Sequence, residues 1–145
     1  MGKYITIAAA NSFDRWPAGL RQELQDNAMN PVVGSVLVSE TDKLRVWHLL
    51  VPAGERCTFH RHVLDYFWTA ISGGRGRQHM QDGTTFECTY EPGETRHEAY
   101  GAGEFKVHDL QKLSDGEMVF MTVEFKDSAN KPLQLPAHIR PSAAA

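Results

Sequence analysis

Residues 54–74 read GERCTFHRHVLDYFWTAISGG, and the run Thr58-Phe59-His60-Arg61-His62 at its centre decides how the chain is understood. Cys57–His62 and Tyr66–Ser72 are β-rich runs. Side chains two apart on a strand point to the same face, so the imidazoles of His60 and His62 can converge on one ion. A third ligand must then come from elsewhere in the sheet. His97 is the natural candidate, because it follows the turn signal Pro92-Gly93. Neutral imidazole nitrogen suits Zn, Fe, Ni or Cu.

Working outward, the same strand character recurs on both sides. Ser35–Ser39 and Leu44–Val51 flank the polar turn Glu40-Thr41-Asp42-Lys43, and Pro52-Ala53-Gly54 breaks the next connection. Arg75–Gln81 and Thr84–Tyr90 flank Asp82-Gly83, which reads as a two-residue hairpin turn needing positive φ. Phe105–Leu113 and Glu117–Phe125 flank Ser114-Asp115-Gly116. Eight or more short strands with turn signals about every ten residues indicate a sandwich or a closed barrel. No helix alternates with these strands, so a parallel α/β sheet is excluded. The one helical pattern lies upstream, with Pro17 placed as a first helical residue and Leu20 and Leu24 recurring at i, i+4. The expected organisation is an N-terminal arm with a short helix (1–32), a barrel (33–127), and a C-terminal extension ending in a loose tail (128–145).

At 145 residues there is room for one hydrophobic core. A hydrophobic fraction of 41%, a charged fraction of 23% and a formal charge of −3 are ordinary for a globular protein. The charge gives no basic footprint for nucleic acid. No apolar run has the length to cross a bilayer, and Met1-Gly2-Lys3-Tyr4 lacks the apolar core of a secretion signal. The expected location is cytoplasmic. Gly2 with Thr6 formally fits a myristoylation pattern, one too short to carry weight. Cys57 and Cys88 are too few for a disulfide framework and read as reduced thiols.

The spacing around the histidines resembles the two motifs of the cupin superfamily. The first runs G-x5-H-x-H-x3-4-E-x6-G; here Gly54 precedes His60 by five intervening residues, His62 follows, and the motif closes at Gly73 or Gly74. The second contains P-x-G-x-x-H, and Pro92 to His97 match its Pro-to-His spacing. The resemblance covers about Val33 to Phe125. It implies an all-β, cupin-type jelly-roll barrel of antiparallel strands with the metal inside, and His60-Arg61-His62-Val63-Leu64-Asp65-Tyr66 looks most like small cupins associated with β-alanine degradation. The sequence departs from the family at the glutamate ligand, which falls on Tyr66 or Phe67. Phe67 cannot bind a metal, and a neutral phenol is a poor ligand. Asp65 lies one place early, on the opposite face unless a bulge re-aims it. In the second motif Glu94 replaces a glycine, and the terminal Asn falls on Gly101.

The expectation is a centre of His60, His62 and His97 without a carboxylate, holding a divalent transition metal such as Fe(II), Zn, Ni or Mn. Three neutral ligands leave the ion's charge uncompensated, so the site should attract an anionic or enolate-forming small molecule. Three-histidine cupins include thiol and diketone dioxygenases, so the resemblance implies a metal-dependent enzyme, with dioxygenase chemistry on a small carbonyl or carboxylate compound. A non-catalytic ligand-binding barrel is the alternative, and the family's habit of pairing barrels implies a homodimer. Tyr66 and Arg75 are the candidates for a catalytic role. Tyr66 either hydrogen-bonds a ligand or fills the core, with Trp68 sharing its parity. Arg75, Arg77 and His79 share one face, a carboxylate clamp if inward and a solvated stripe if outward. Arg96 is a candidate for substrate contact. His48, His108 and His138 read as uninvolved. Cys57, an odd separation from His60, is expected on the opposite face.

Overall fold

The computed structural model describes residues 3–142. The myristoylation reading at Gly2 and the last three residues of the expected tail lie outside the described residues. The chain forms ten strands: β1 (Tyr4–Ala8), β2 (Val36–Glu40), β3 (Leu44–Val51), β4 (Arg56–His62), β5 (Tyr66–Ser72), β6 (Gly74–His79), β7 (Thr85–Tyr90), β8 (Thr95–Glu98), β9 (Lys106–Lys112) and β10 (Met118–Phe125). A 3-10 turn (Phe13–Arg15) and one helix, α1 (Leu20–Asp26), precede β2. The strands make two five-stranded antiparallel sheets, ordered β1-β7-β6-β9-β4 and β2-β3-β10-β5-β8. This is the jelly-roll arrangement, two facing sheets with the core between them.

Strand parity builds that core. On β3 the buried positions are Arg45, Trp47, Leu49 and Val51, and on β10 they are Met118, Phe120, Thr122 and Glu124. Leu49, Val51, Ala70, Tyr90, Leu110 and Phe120 fill one end of the space between the sheets. Toward Tyr66 and His62 the filling gives way to a cavity of about 330 Å³. The outer face of the first sheet is covered by the N-terminal segment. Trp16 and Leu20 pack there on Phe59 and Val107, with the Trp16 ring stacked on Phe59 at 5.7 Å. Seven helical residues do not hold themselves together in water, so α1 depends on this burial.

Three expectations change in the structure. The N-terminal arm contains a strand: Tyr4–Ala8 pairs antiparallel with β7. The helix begins at Leu20, three residues after Pro17. The Asp82-Gly83 turn is a three-residue loop, in which Gly83 N–H donates to Met80 O at 2.9 Å and Met80 N–H to Thr84 O at 2.9 Å. Only Gly83 has positive φ there (+92°), as expected of a type I turn closed by a glycine bulge. The segment after Asp127 has no strand or helix up to residue 142. It nevertheless docks, because Leu135 and Ile139 pack against Val33, Leu37 and Trp47. Among the described residues no helix is long and apolar enough to cross a membrane.

Candidate metal centre

β4 carries an irregularity that shapes the site. Cys57 pairs with Leu110 and His60 with His108, so three steps on β4 match two on β9. This is a β-bulge, and it re-aims the side chains on either side of it. Phe59 faces outward under Trp16, while His60 and His62 line the cavity. The bulge also overturns the expectation for Cys57, whose Sγ lies 3.6 Å from His60 Nδ1 on the inner side. Burial pushes that thiol up to about 12, so it stays protonated at neutral pH.

The third histidine is His108. One ring nitrogen from each of His60, His62 and His108 lies within 4.8 Å of the others, and all three side chains are buried. His108 is the direct cross-strand partner of His60. His97 is not part of the group. It pairs with Phe67 across β5 and β8, is exposed, and rests against the Phe67 ring at 5.4 Å. Parity is the reason: Tyr66 and Trp68 point inward on β5, so their partners Glu98 and Arg96 line the cavity and His97 faces away. The motif spacing singled out His97, and the structure places His108 in the cluster in its stead. His48 and His138 are exposed, as expected.

The donor set fits a divalent ion. His60 Nδ1 faces Thr58 O at 2.8 Å, and His108 Nδ1 faces Gln78 Oε1 at 2.8 Å. Carbonyl oxygens only accept, so each Nδ1 carries the proton and each Nε2 carries a lone pair. The Gln78 amide is held in turn by its Nε2 donating to Tyr90 Oη at 2.7 Å. His62 has no such arrangement. Its Nδ1 is buried without a hydrogen-bond partner, and its Nε2 lies 3.2 Å from His108 Nε2. With its proton on either nitrogen, His62 leaves a buried polar atom unsatisfied. A cation among the three rings would take up the facing lone pairs of His62 Nε2 and His108 Nε2, which otherwise oppose each other at 3.2 Å when His62 carries its proton on Nδ1. Burial pushes His60 down to about 4, and burial holds His62 and His108 well below the usual imidazole value. All three are therefore neutral at pH 7, as metal ligands must be.

No carboxylate joins the group among the described residues. Asp65 accepts from Tyr100 N–H at 3.0 Å through Oδ1. Tyr66 lies flat against His62, ring centroids 4.2 Å apart, and its hydroxyl accepts from Lys106 Nζ at 2.6 Å. Burial raises the Tyr66 phenol well above its usual value, so it is a neutral hydroxyl. Trp68 lines the same cavity, as its parity required.

The structure does not bring Arg75 to the site. Gln78 points inward on β6, so Arg75, Arg77 and His79 share the outer face. They are neither a clamp nor a uniform stripe. The Arg75 side chain is 58% exposed, Arg77 pairs with Glu87 at 2.8 Å, and His79 is buried beneath Trp16. His79 Nδ1 bonds Asp109 Oδ2 at 2.9 Å, and Arg56 joins the same carboxylate to Glu23 of α1. This network straps the helix onto the strands that carry the three histidines.

Sequence reading missed His108 and Lys106, although the expected strand Phe105–Leu113 contained both. That strand is covered on both faces, so Lys106, His108 and Leu110 inside alternate with Val107 and Asp109 beneath the N-terminal segment. Its composition therefore does not reveal which face is inner.

Solved structures with this architecture bear out the fold. A cupin domain from Bordetella pertussis Tohama I is 22% identical, with a TM-score of 0.54 over 64% of this chain and 94% of that one. A protein from Bacillus halodurans is 17% identical, with a TM-score of 0.52 over 89% of each chain. An uncharacterized conserved protein with a double-stranded β-helix domain from Klebsiella pneumoniae is 20% identical, with a TM-score of 0.51 over 80% of this chain and 93% of that one. No family model and no curated protein matches the chain. At these identities the likeness defines the fold, the double-stranded β-helix of cupins, here with a three-histidine cluster in its cavity.

Proposed function

We propose that this protein is a metal-dependent enzyme acting on a small carbonyl or carboxylate compound, with dioxygen chemistry at Fe(II) as the first reaction class to test. The observation that carries the reading is the buried trio His60, His62 and His108, with two tautomers fixed by carbonyl oxygens and no carboxylate among the ligands. A divalent ion held there would supply Lewis acidity toward a substrate oxygen and, as Fe(II), electrons for dioxygen chemistry. The chain's own part is positional. Thr58 O and Gln78 Oε1 orient two imidazoles, and Tyr66 packs on the third. Leu49, Trp68, Tyr90 and Phe120 give the rest of the cavity an apolar wall that excludes water from a small ligand.

The test is elemental analysis of protein purified without chelator, followed by dioxygen-uptake screening with small carbonyl and carboxylate compounds. Wild type is expected to hold about one transition metal per chain. His108→Ala should lose it, whereas His97→Ala should keep it. Loss of metal on His97→Ala with retention on His108→Ala would overturn the assignment. Metal and ligand binding without turnover of any compound would favour a binding barrel over an enzyme.

A further inference from the structure

The cavity holds a charge that the three histidines do not explain. Lys106 lies on β9 two residues before His108, opposite His62 in the β4–β9 register. Its side chain is 17% exposed and lines the cavity. An ammonium group has three N–H donors, and burying it without acceptors is costly. One donor goes to Tyr66 Oη at 2.6 Å. The nearest carboxylate, Glu98, is 3.8 Å away, longer than a charge-assisted hydrogen bond of about 2.7–2.9 Å. Lys106 thus retains donor capacity toward the cavity, beside the plane of His62 and Tyr66.

We propose that Lys106 and Tyr66 form the seat for a single carboxylate of the substrate, so the substrate is a small monocarboxylic acid with an apolar remainder. Lys106 supplies the charge, and the Tyr66 hydroxyl, while accepting from Lys106, would turn its proton from the neighbouring Tyr100 to the same anion. The opposite wall sets the remainder of the molecule. Trp68, Tyr90 and Phe120 meet edge to face at 5.0–5.4 Å and present apolar surface, joined by Leu49 and Leu110. Charge limits the class further. Glu98 beside Lys106 opposes every negative charge brought to this wall, so one charge is tolerated better than two. Arg96, the other cation lining the cavity, is occupied with the Tyr4 ring at 4.2 Å and Glu94 at 3.6 Å. A dicarboxylate or phosphate monoester therefore fits poorly.

This rests on the reading of the cavity as the ligand site of a metal centre, and a metal alone would also attract carboxylates. The experiment separates the two. Calorimetric titrations of zinc-loaded and chelator-treated protein use benzoate and butyrate against the neutral amides benzamide and butyramide. Zinc content is measured on the same samples. Wild type is expected to bind each acid at least about tenfold more tightly than its amide. Lys106→Met should lose most of that preference at unchanged zinc content and unchanged amide affinity. Tyr66→Phe, which keeps the ring on His62, should lose it severalfold. Failure of wild type to prefer acid over amide, or a preference that survives Lys106→Met, overturns the proposal. Absence of zinc from wild type defeats the metal reading instead, and the chelator-treated titrations then still decide the role of Lys106.

Discussion

Gln78 is the residue on which the imidazole geometry can be tested most directly. Its Oε1 accepts from His108 Nδ1, and its amide is anchored by Tyr90. Such outer partners commonly contribute about 10–100-fold in metal affinity. Gln78→Leu removes the acceptor at similar volume, so zinc affinity measured by chelator competition should fall by about that factor. Gln78→Glu, which keeps an oxygen there, should restore much of it. An unchanged affinity in Gln78→Leu would mean that the His108 tautomer is fixed by something else. At this scale the sequence showed much of the site. His60, His62, Tyr66 and Trp68 were legible because each lies on a strand whose parity their neighbours declare. His108 was not, because both faces of its strand are covered.

At the scale of elements, the bulge in β4 and the strap of α1 do the positioning. Arg56 bonds Glu23 through both terminal nitrogens, at 2.8 and 2.7 Å, and holds Asp109, which is fully buried. Removing one partner of a buried pair leaves the other charge uncompensated, a cost of about 3–5 kcal/mol. Glu23 is only partly buried, so its loss should be milder. We expect Glu23→Gln to lower stability by about 1 kcal/mol and to speed amide exchange across Leu20–Asp26. Asp109→Asn should lower the melting temperature much further, because it strands Arg56 and His79 together. Equal, small effects of both changes would show that α1 is held by Trp16 and Leu20 alone. Most strands were readable within one or two residues from alternation and turn residues. The bulge was not, since it exists only in the register between β4 and β9, and Tyr4–Ala8 is a strand because β7 offers it an edge.

For the whole molecule, buried titratable groups should set the response to pH. Burial raises Glu124 to about 7, despite its bond from Trp47 Nε1 at 2.8 Å. The folded state then binds a proton more tightly than the unfolded chain, so this group lowers stability as pH rises from about 4.5 to 7. His60 works in the opposite direction. With a folded value of about 4 against about 6.5 unfolded, its contribution is complete above 6.5 and is lost as pH falls toward 4. His62 and His108 act with the same sign. Three histidines outweigh one glutamate, so the unfolded chain binds more of these protons and metal-free wild type should gain stability as pH rises from about 4.5 to 6.5. Glu124→Gln should be more stable than wild type at pH 8, by up to a few kcal/mol, and nearly equal to it at pH 4. Denaturant melts across that range would show this, and a constant difference at all pH values would refute it. Added zinc should raise the melting temperature of wild type at pH 7 and leave that of His108→Ala unmoved.

By itself the sequence determined eight of the ten strands, the all-β class and the His60–His62 pair. These follow from local alternation and from turn residues whose backbone preferences are intrinsic. Only the tertiary structure decided the third ligand. Which strand lies beside β4, and which face of it turns inward, depends on pairing between residues 46 positions apart in the chain. Alternation along β9 is the same whichever face is buried, so nothing local distinguishes His108 from Asp109. The bulge and the antiparallel register between β4 and β9 make that choice, and they place Lys106 in the cavity with it.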